Sequence, residues 1–258
     1  MISAPKGKKL VVVDLSQIEV RTLCWLAEDK ETLQEIANTG DIYEAFAIRM
    51  GLWTKDKGVL KSEDPKLRHK VKAIVLGCGY GAGANKFSEM YNMPLAEAKE
   101  AVNLYRTQLH KVPKFWQKIN NTLKSCHNSF VPFECRLPSG RALNYGPLKL
   151  VYQNERLAYQ AIVSRNGKRL PMKLWGGVVA ENMSQGLARD IFSDMLLRLE
   201  AEGIRLIFHV HDEVIIECDE GEAEMTLKKT IGIMSTPPAW ISDIPLAAEG
   251  QILTHYQK

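Results

Sequence analysis

Two aspartates stand where acids are costly. Asp14 closes the apolar run Lys9–Asp14 (KLVVVD), and Asp212 sits between the apolar runs Arg205–Val210 and Glu213–Cys218. An aspartate at a strand end can simply form a turn or cap a helix. Two of them at the ends of neighbouring strands can instead share divalent metal, because strands hold side chains rigidly. Mg²⁺ favours such carboxylates together with phosphate oxygens. Two ions ~3.5–4 Å apart can activate an attacking oxygen and stabilise a leaving one in phosphoryl transfer. Glu213, beside Asp212, is a further candidate ligand.

A second group repeats every four residues: Arg68, Lys72, Leu76 and Tyr80. On a helix these share one face, drifting by ~40° per step. Two cations suit a triphosphate, and an apolar side chain with a ring suits a nucleobase and sugar. The plain alternative is a solvated basic stripe with Leu76 and Tyr80 turned inward. Glycines follow at 77, 79, 81 and 83, but their spacing matches neither common phosphate-loop pattern. A flexible helix end, or a place where a ligand nears the backbone, fits them better.

The elements that must position these residues are readable in outline. Lys9–Asp14 reads as a buried strand. Ser16 and Glu19 have the spacing of a capping box opening a helix that runs to about Ala27. Helices are expected over Lys30–Asn38 and Asp41–Met50, then a loop over Thr54–Lys66. Further helices are expected from Lys66 to Leu76, Pro94 to His110, Val112 to Ser125, Glu181 to Glu202 and Glu222 to Ile233. Residues 130–175 hold several short strands, with turns at Pro138–Gly140, Asn144–Gly146 and Asn166-Gly167. His211-Asp212 is the tight turn of a late hairpin, and another strand is expected near Ile244–Glu249. The fold class is α+β, with the first and late strands pairing antiparallel and helices inserted between them.

Charge divides along the chain. Residues 101–180 hold 13 Lys/Arg against Glu134 and Glu155, whereas residues 181–258 hold 14 acids and six bases. The division suits either complementary packing or a polyanion-binding surface beside metal-binding carboxylates. Across all 258 residues the net charge is +4 and 45% are hydrophobic, an ordinary globular composition. No run of ~18 apolar residues suggests a membrane helix, and residues 1–30 lack a secretory pattern. The five cysteines, at 24, 78, 126, 135 and 218, show no CxxC spacing, which fits a reducing cytoplasm.

The words around the chemistry resemble those of family A (Pol I-like) DNA polymerases, phage relatives in particular. Asp14-Leu-Ser-Gln-Ile-Glu-Val-Arg21 is similar to motif A, and the Arg68–Gly81 segment to motif B. Val210-His-Asp-Glu-Val214 is similar to motif C, and the three stand in the family's order. The resemblance implies a polymerase palm with an antiparallel sheet and inserted helical fingers. Residues 1–30 and 131–258 would be palm, and 31–130 mainly fingers. It implies template-directed DNA synthesis from dNTPs on primer-template DNA.

By the same resemblance, Asp14 and Asp212 would bind two Mg²⁺ ions, with the Leu15 carbonyl and Glu213 as further ligands. Lys72 and Arg68 would hold the triphosphate, and Lys72 would serve catalysis. Tyr80 would lie near the new base pair, and Glu19 would exclude ribonucleotides. Gln17, Tyr43 and Leu76 would line the nucleotide pocket. His211 would meet the primer terminus, while Gln185 and Arg141 would contact DNA. Three departures stand out: Leu76 replaces an aromatic, Leu15 replaces a tyrosine, and Glu181 stands where relatives carry asparagine, with Asn182 next.

Motif A begins near Met1, so thumb and exonuclease domains are expected to be absent. A split or shortened polymerase would then need a second polypeptide, or self-association. Two rival readings have distinct signatures. A single-subunit RNA polymerase has no use for a carboxylate at Glu19. A non-catalytic DNA binder has no use for Asp14 and Asp212 together.

Overall fold

The structure is a computed structural model and describes residues 2–153, 156–165 and 167–256. In chain order the first elements are β1 (Ile2–Ser3), β2 (Lys8–Leu15), α1 (Ile18–Leu26), α2 (Lys30–Thr39) and α3 (Ile42–Arg49). Next come α4 (Leu60–Glu63), α5 (Pro65–Cys78), α6 (Ala84–Tyr91), α7 (Leu95–Gln108) and α8 (Lys111–Asn128). Strands β3 (Phe133–Arg136), β4 (Ala142–Gly146), β5 (Lys149–Gln153), β6 (Arg156–Arg165) and β7 (Lys168–Leu174) follow. The chain continues with α9 (Gly176–Ala201), β8 (Leu206–Val210), β9 (Glu213–Asp219), α10 (Ala223–Met234), β10 (Ala248–Leu253) and β11 (His255–Tyr256). Every strand pairing is antiparallel, which makes this a mixed helix-and-sheet fold. No helix among the described residues is long and apolar enough to cross a membrane.

The chain separates into two compact units, one of residues 1–21 and 187–258, the other of residues 22–186. Residues 131–186 fall within the second unit.

The first unit is built on a four-stranded sheet ordered β10–β2–β9–β8. β2 lies inside it, so both of its faces are apolar, as the run LVVV requires. Leu10 and Val12 join Ile215 on one face, with Phe208, Val210, Leu253 and Tyr256 packed around them. Helix α10 packs across β2 and β10. The expected strand near Ile244 begins later, at Ala248. Ile241 and Ile244 are instead buried from a turn, so their apolar character serves packing rather than pairing.

In the second unit the helix starts follow side-chain caps. Asp29, Asp41 and Asp64 accept from the amides of Thr32, Tyr43 and Leu67, and Pro65 opens α5. The expected loop at Thr54–Lys66 is partly helical. Leu60 is fully buried and its amide donates to Glu44 Oε2 at 2.8 Å, which anchors α4. Sequence also missed α6. Gly77 lies within α5 rather than beyond it, because a Cβ there would come 2.5 Å from the Phe87 ring of α6. The first glycine of the cluster thus serves close helix packing.

Residues 131–174 form two small sheets, β3–β4 and β5–β6–β7. Gly140 (φ 88°) turns the chain between β3 and β4 as expected. Asn144 lies within β4, and its Oδ1 accepts the Gly146 amide at 2.8 Å, an Asx-type bond that with Gly146 at φ 69° turns the chain at the end of that strand. The expected turn at Asn166 lies outside the described residues.

Candidate carboxylate and nucleotide-handling sites

In the first unit, Asp14 sits in register with Glu213 of β9 on one side and Glu249 of β10 on the other. Directly opposed residues share a sheet face, so three carboxylates form one row across three strands. Like charges placed this way are destabilising by ~0.2–1 kcal/mol per pair. Asp212 follows at once in the β8–β9 turn, and its carbonyl accepts the Leu15 amide at 3.2 Å. That bond ties the Asp212 turn to the end of β2. Asp14 and Glu249 are exposed, while Asp212 and Glu213 are half-buried.

His211 occupies the first central position of this two-residue turn with φ 56°. Glycine is the usual residue there, so a non-glycine side chain carries a local backbone cost. Tyr256 donates its hydroxyl to Glu213 Oε1 at 2.6 Å. That bond, desolvation, and the charges of Glu213 and Asp14 push the phenol from 10 up to about 12, so it remains a donor.

The Asp14–Glu19 segment bends differently from the sequence expectation. Ser16 donates its amide to Ala247 and so extends the strand pairing. Gln17, at φ 46°, provides the carbonyl that accepts from Val20 and Arg21, so it rather than Ser16 stands at the helix start. Glu19 is exposed in the first turn of α1.

Sequence gave Arg21 no role. Only 2% exposed, it donates from Nε to Ser16 O at 2.8 Å and from Nη1 to Pro245 O at 2.9 Å. The guanidinium fork thereby braces the turn after Asp14. Its signal was an arginine on an otherwise apolar helix stretch.

In the second unit the four-residue repeat lies on α5. Lys72 is exposed, Leu76 is 45% exposed, and Arg68 and Tyr80 are half-buried. Leu76 therefore does not turn inward. Tyr43 is buried beside the cations, with Arg68 Cζ 5.0 Å and Lys72 Nζ 5.9 Å from its ring centroid. Burial raises the Tyr43 pKa, while Arg68 opposes that shift. The phenol remains neutral under a cationic pair.

Asp41 was read only as a helix boundary. It caps α3 through Oδ1 and pairs with Arg68 Nε through Oδ2 at 2.6 Å. One carboxylate thus fixes both the helix bearing Tyr43 and the guanidinium above it.

Arg141 and Gln185 lie near one another in this unit. Arg141 Nη2 donates to Gly186 O at 2.7 Å, and Gln185 is exposed next to it. Asn182 donates within the unit to Tyr145 Oη at 2.8 Å.

Among the described residues, no group of three or more His, Cys, Asp or Glu is placed to hold a metal ion. Asp14 and Asp212 nevertheless fit Mg²⁺ by donor chemistry. Mg²⁺ is commonly held by one or two carboxylates plus substrate phosphates rather than by an all-protein cage.

Comparison with known proteins gives a consistent answer. The family model described as DNA polymerase family A matches residues 1–258. The chain is 32% identical over 275 residues to the DNA polymerase of Bacillus phage SP02, covering 98% of this chain and 42% of that protein. It is 27% identical over 251 residues to the thermostable DNA polymerase I of Thermus thermophilus, covering 95% and 27%. Among solved structures, the polymerase domain of Pol1 from M. smegmatis, in complex with DNA primer-template and dNTP, matches with TM-score 0.68 and 22% identity. That match covers 98% of this chain and 41% of the other, a likeness of fold. The chain spans less than half the length of these relatives.

Proposed function

The chain belongs to DNA polymerase family A, and on that premise we propose that it extends a DNA primer by template-directed transfer of deoxynucleotides from dNTPs. The observation that carries the reading is the carboxylate row Glu249–Asp14–Glu213 beside Asp212. Opposed acids on one face repel, and a divalent cation bound beside them would offset that repulsion.

Asp14 and Asp212, with the Leu15 carbonyl, would hold two Mg²⁺ ions, and Glu213 would support them from alongside. When bound, the ions would supply Lewis acidity toward the primer hydroxyl and the triphosphate. Lys72 and Arg68 bind and orient the triphosphate, and Lys72 offsets the charge that develops as the pyrophosphate departs. Tyr43 and Asp41 hold those cations in place. Glu19 guards the sugar 2′ position, with Gln17 and Leu76 on the pocket wall and Tyr80 near the nascent pair. His211 meets the primer terminus, while Arg141 and Gln185 grip the duplex. In this reading 1–30 and 131–258 serve as palm and 31–130 as fingers.

The test is single-nucleotide primer extension with Mg²⁺. Asp14→Asn and Asp212→Asn should each lower the insertion rate by ~100-fold or more, a scale set by single electrostatic groups in active sites. DNA affinity should change little. Near wild-type insertion by either variant at saturating Mg²⁺ defeats the assignment.

A further inference from the structure

The sheet β5–β6–β7 carries a feature that catalysis does not use. Its two faces differ in kind. On one, Ala161 and Leu174 are buried and Tyr159 packs on the His127 ring of α8 at 5.6 Å, so part of that face is turned into the unit, while Leu150, Tyr152, Leu157 and Leu170 on it stay exposed. The other face bears Lys149, Gln160 and Lys173 in one register row across all three strands. Arg169, opposite Ser164, lies on the same face four residues along β7 from Lys173.

Lys149, Arg169 and Lys173 are exposed. Among the described residues, none of the three forms an ion pair, whereas Lys8, Arg49, Lys55 and Arg68 each hold a carboxylate. Strand spacing puts Lys149 and Lys173 ~10 Å apart and Arg169 and Lys173 ~13 Å apart, measured along the backbone frame. The segment 147–175 has six Lys/Arg and one acid, Glu155.

We propose that this face of β5–β6–β7 is an auxiliary DNA-binding surface that contacts the phosphate backbone of duplex DNA. The inference rests on the polymerase reading above and adds to it a contact surface remote in sequence from the three motifs. Unpaired, exposed cations spread over one sheet face match a dense line of phosphates, one per ~1.7 Å of duplex axis. Duplex is the favoured occupant because this face carries no aromatic side chain. Binding of a single strand usually relies on rings that stack against its bases. Gln160 and Ser164 can add neutral hydrogen bonds to phosphate or sugar oxygens without reading sequence.

The experiment uses the chain with the triple substitution Lys149→Ala, Arg169→Ala and Lys173→Ala. Binding to a blunt duplex and to a single strand is followed by fluorescence anisotropy across a salt series. The slope of log affinity against log salt for duplex should become shallower by about 2.7, near 0.9 for each lost phosphate contact. Swapping each residue for the other basic type should restore the slope. Single-nucleotide insertion at saturating DNA should stay at the wild-type rate. An unchanged duplex slope overturns the proposal, as does a change confined to single-stranded DNA. Asp14→Asn separates the two readings, since it should abolish insertion and leave the duplex slope intact. Failure of wild-type insertion together with a shallower slope in the triple variant would sink the polymerase reading and spare this surface.

Discussion

The acidic strand ends and the basic helix face solve opposite problems. On the sheet, Glu249, Asp14 and Glu213 stand in one row, and repulsion between them is built into the pairing register. On α5, the cation Arg68 has a carboxylate partner in Asp41, and the buried ring of Tyr43 lies beneath both Arg68 and Lys72. On the helix face Arg68 is paired within its own unit, while Lys72 stays exposed. The sheet row gains from an added cation. A strand register fixes which residues are neighbours, and so can hold like charges together. A helix face spaces its groups by four residues and leaves room for neutralising partners from other helices.

Four substitutions sharpen or break this contrast. Lys72→Ala removes the exposed cation and should cost ~100- to 1,000-fold in insertion rate, read by single-turnover kinetics with matched dNTP. A loss confined to KM would instead make Lys72 a uniform binding residue. Glu19→Ala should relax sugar choice by about fivefold to 150-fold, the equivalent of ~1–3 kcal/mol for an unsatisfied polar encounter. The ratio of specificity constants for ribo- and deoxyribonucleotides decides it; an unchanged ratio reduces Glu19 to a first-turn helix acid.

Asp41→Ala touches the paired cation. It removes the cap of α3 and releases Arg68, so a loss of ~1–2 kcal/mol in chemical denaturation is expected. Insertion should weaken through KM, because Arg68 loses its fixed position. If stability falls and KM holds, Asp41 is a cap only.

The smallest effect belongs to the row. Glu249→Gln should stabilise the fold by a few tenths to ~1 kcal/mol in chelator, by relieving one opposed like-charge pair. Saturating Mg²⁺ should shrink that gain. A destabilised variant in chelator would show that the row is already neutralised within the protein.

Sequence pattern made much of the site legible. The apolar runs located β2, β8 and β9; burial on both faces demands continuous apolar residues in β2 and β9, whereas β8 is an edge strand whose residues alternate between half-buried and exposed. The four-residue repeat placed Lys72 and Leu76 outward on α5, since helical periodicity is a local property. The caps at Asp29, Asp41 and Asp64 also lie within a few residues of the groups they satisfy. Other features were hidden for a shared reason. Helix α6 presents just Phe87 as a buried anchor, too little for a periodic signal, and Gly77 reveals its role only when that ring arrives.

The amino-acid order by itself determined the fold class, the chemical types at the site and the family. Only the tertiary structure decided that Glu249 flanks Asp14, that Tyr256 donates to Glu213, that Arg21 holds Ser16 and Pro245, and that Asp41 holds Arg68. Three of these four join residues more than 25 positions apart, and Arg21 reaches both a local and a distant carbonyl. Strand register and long side-chain reach bring them together, and neither is encoded in any short window of sequence.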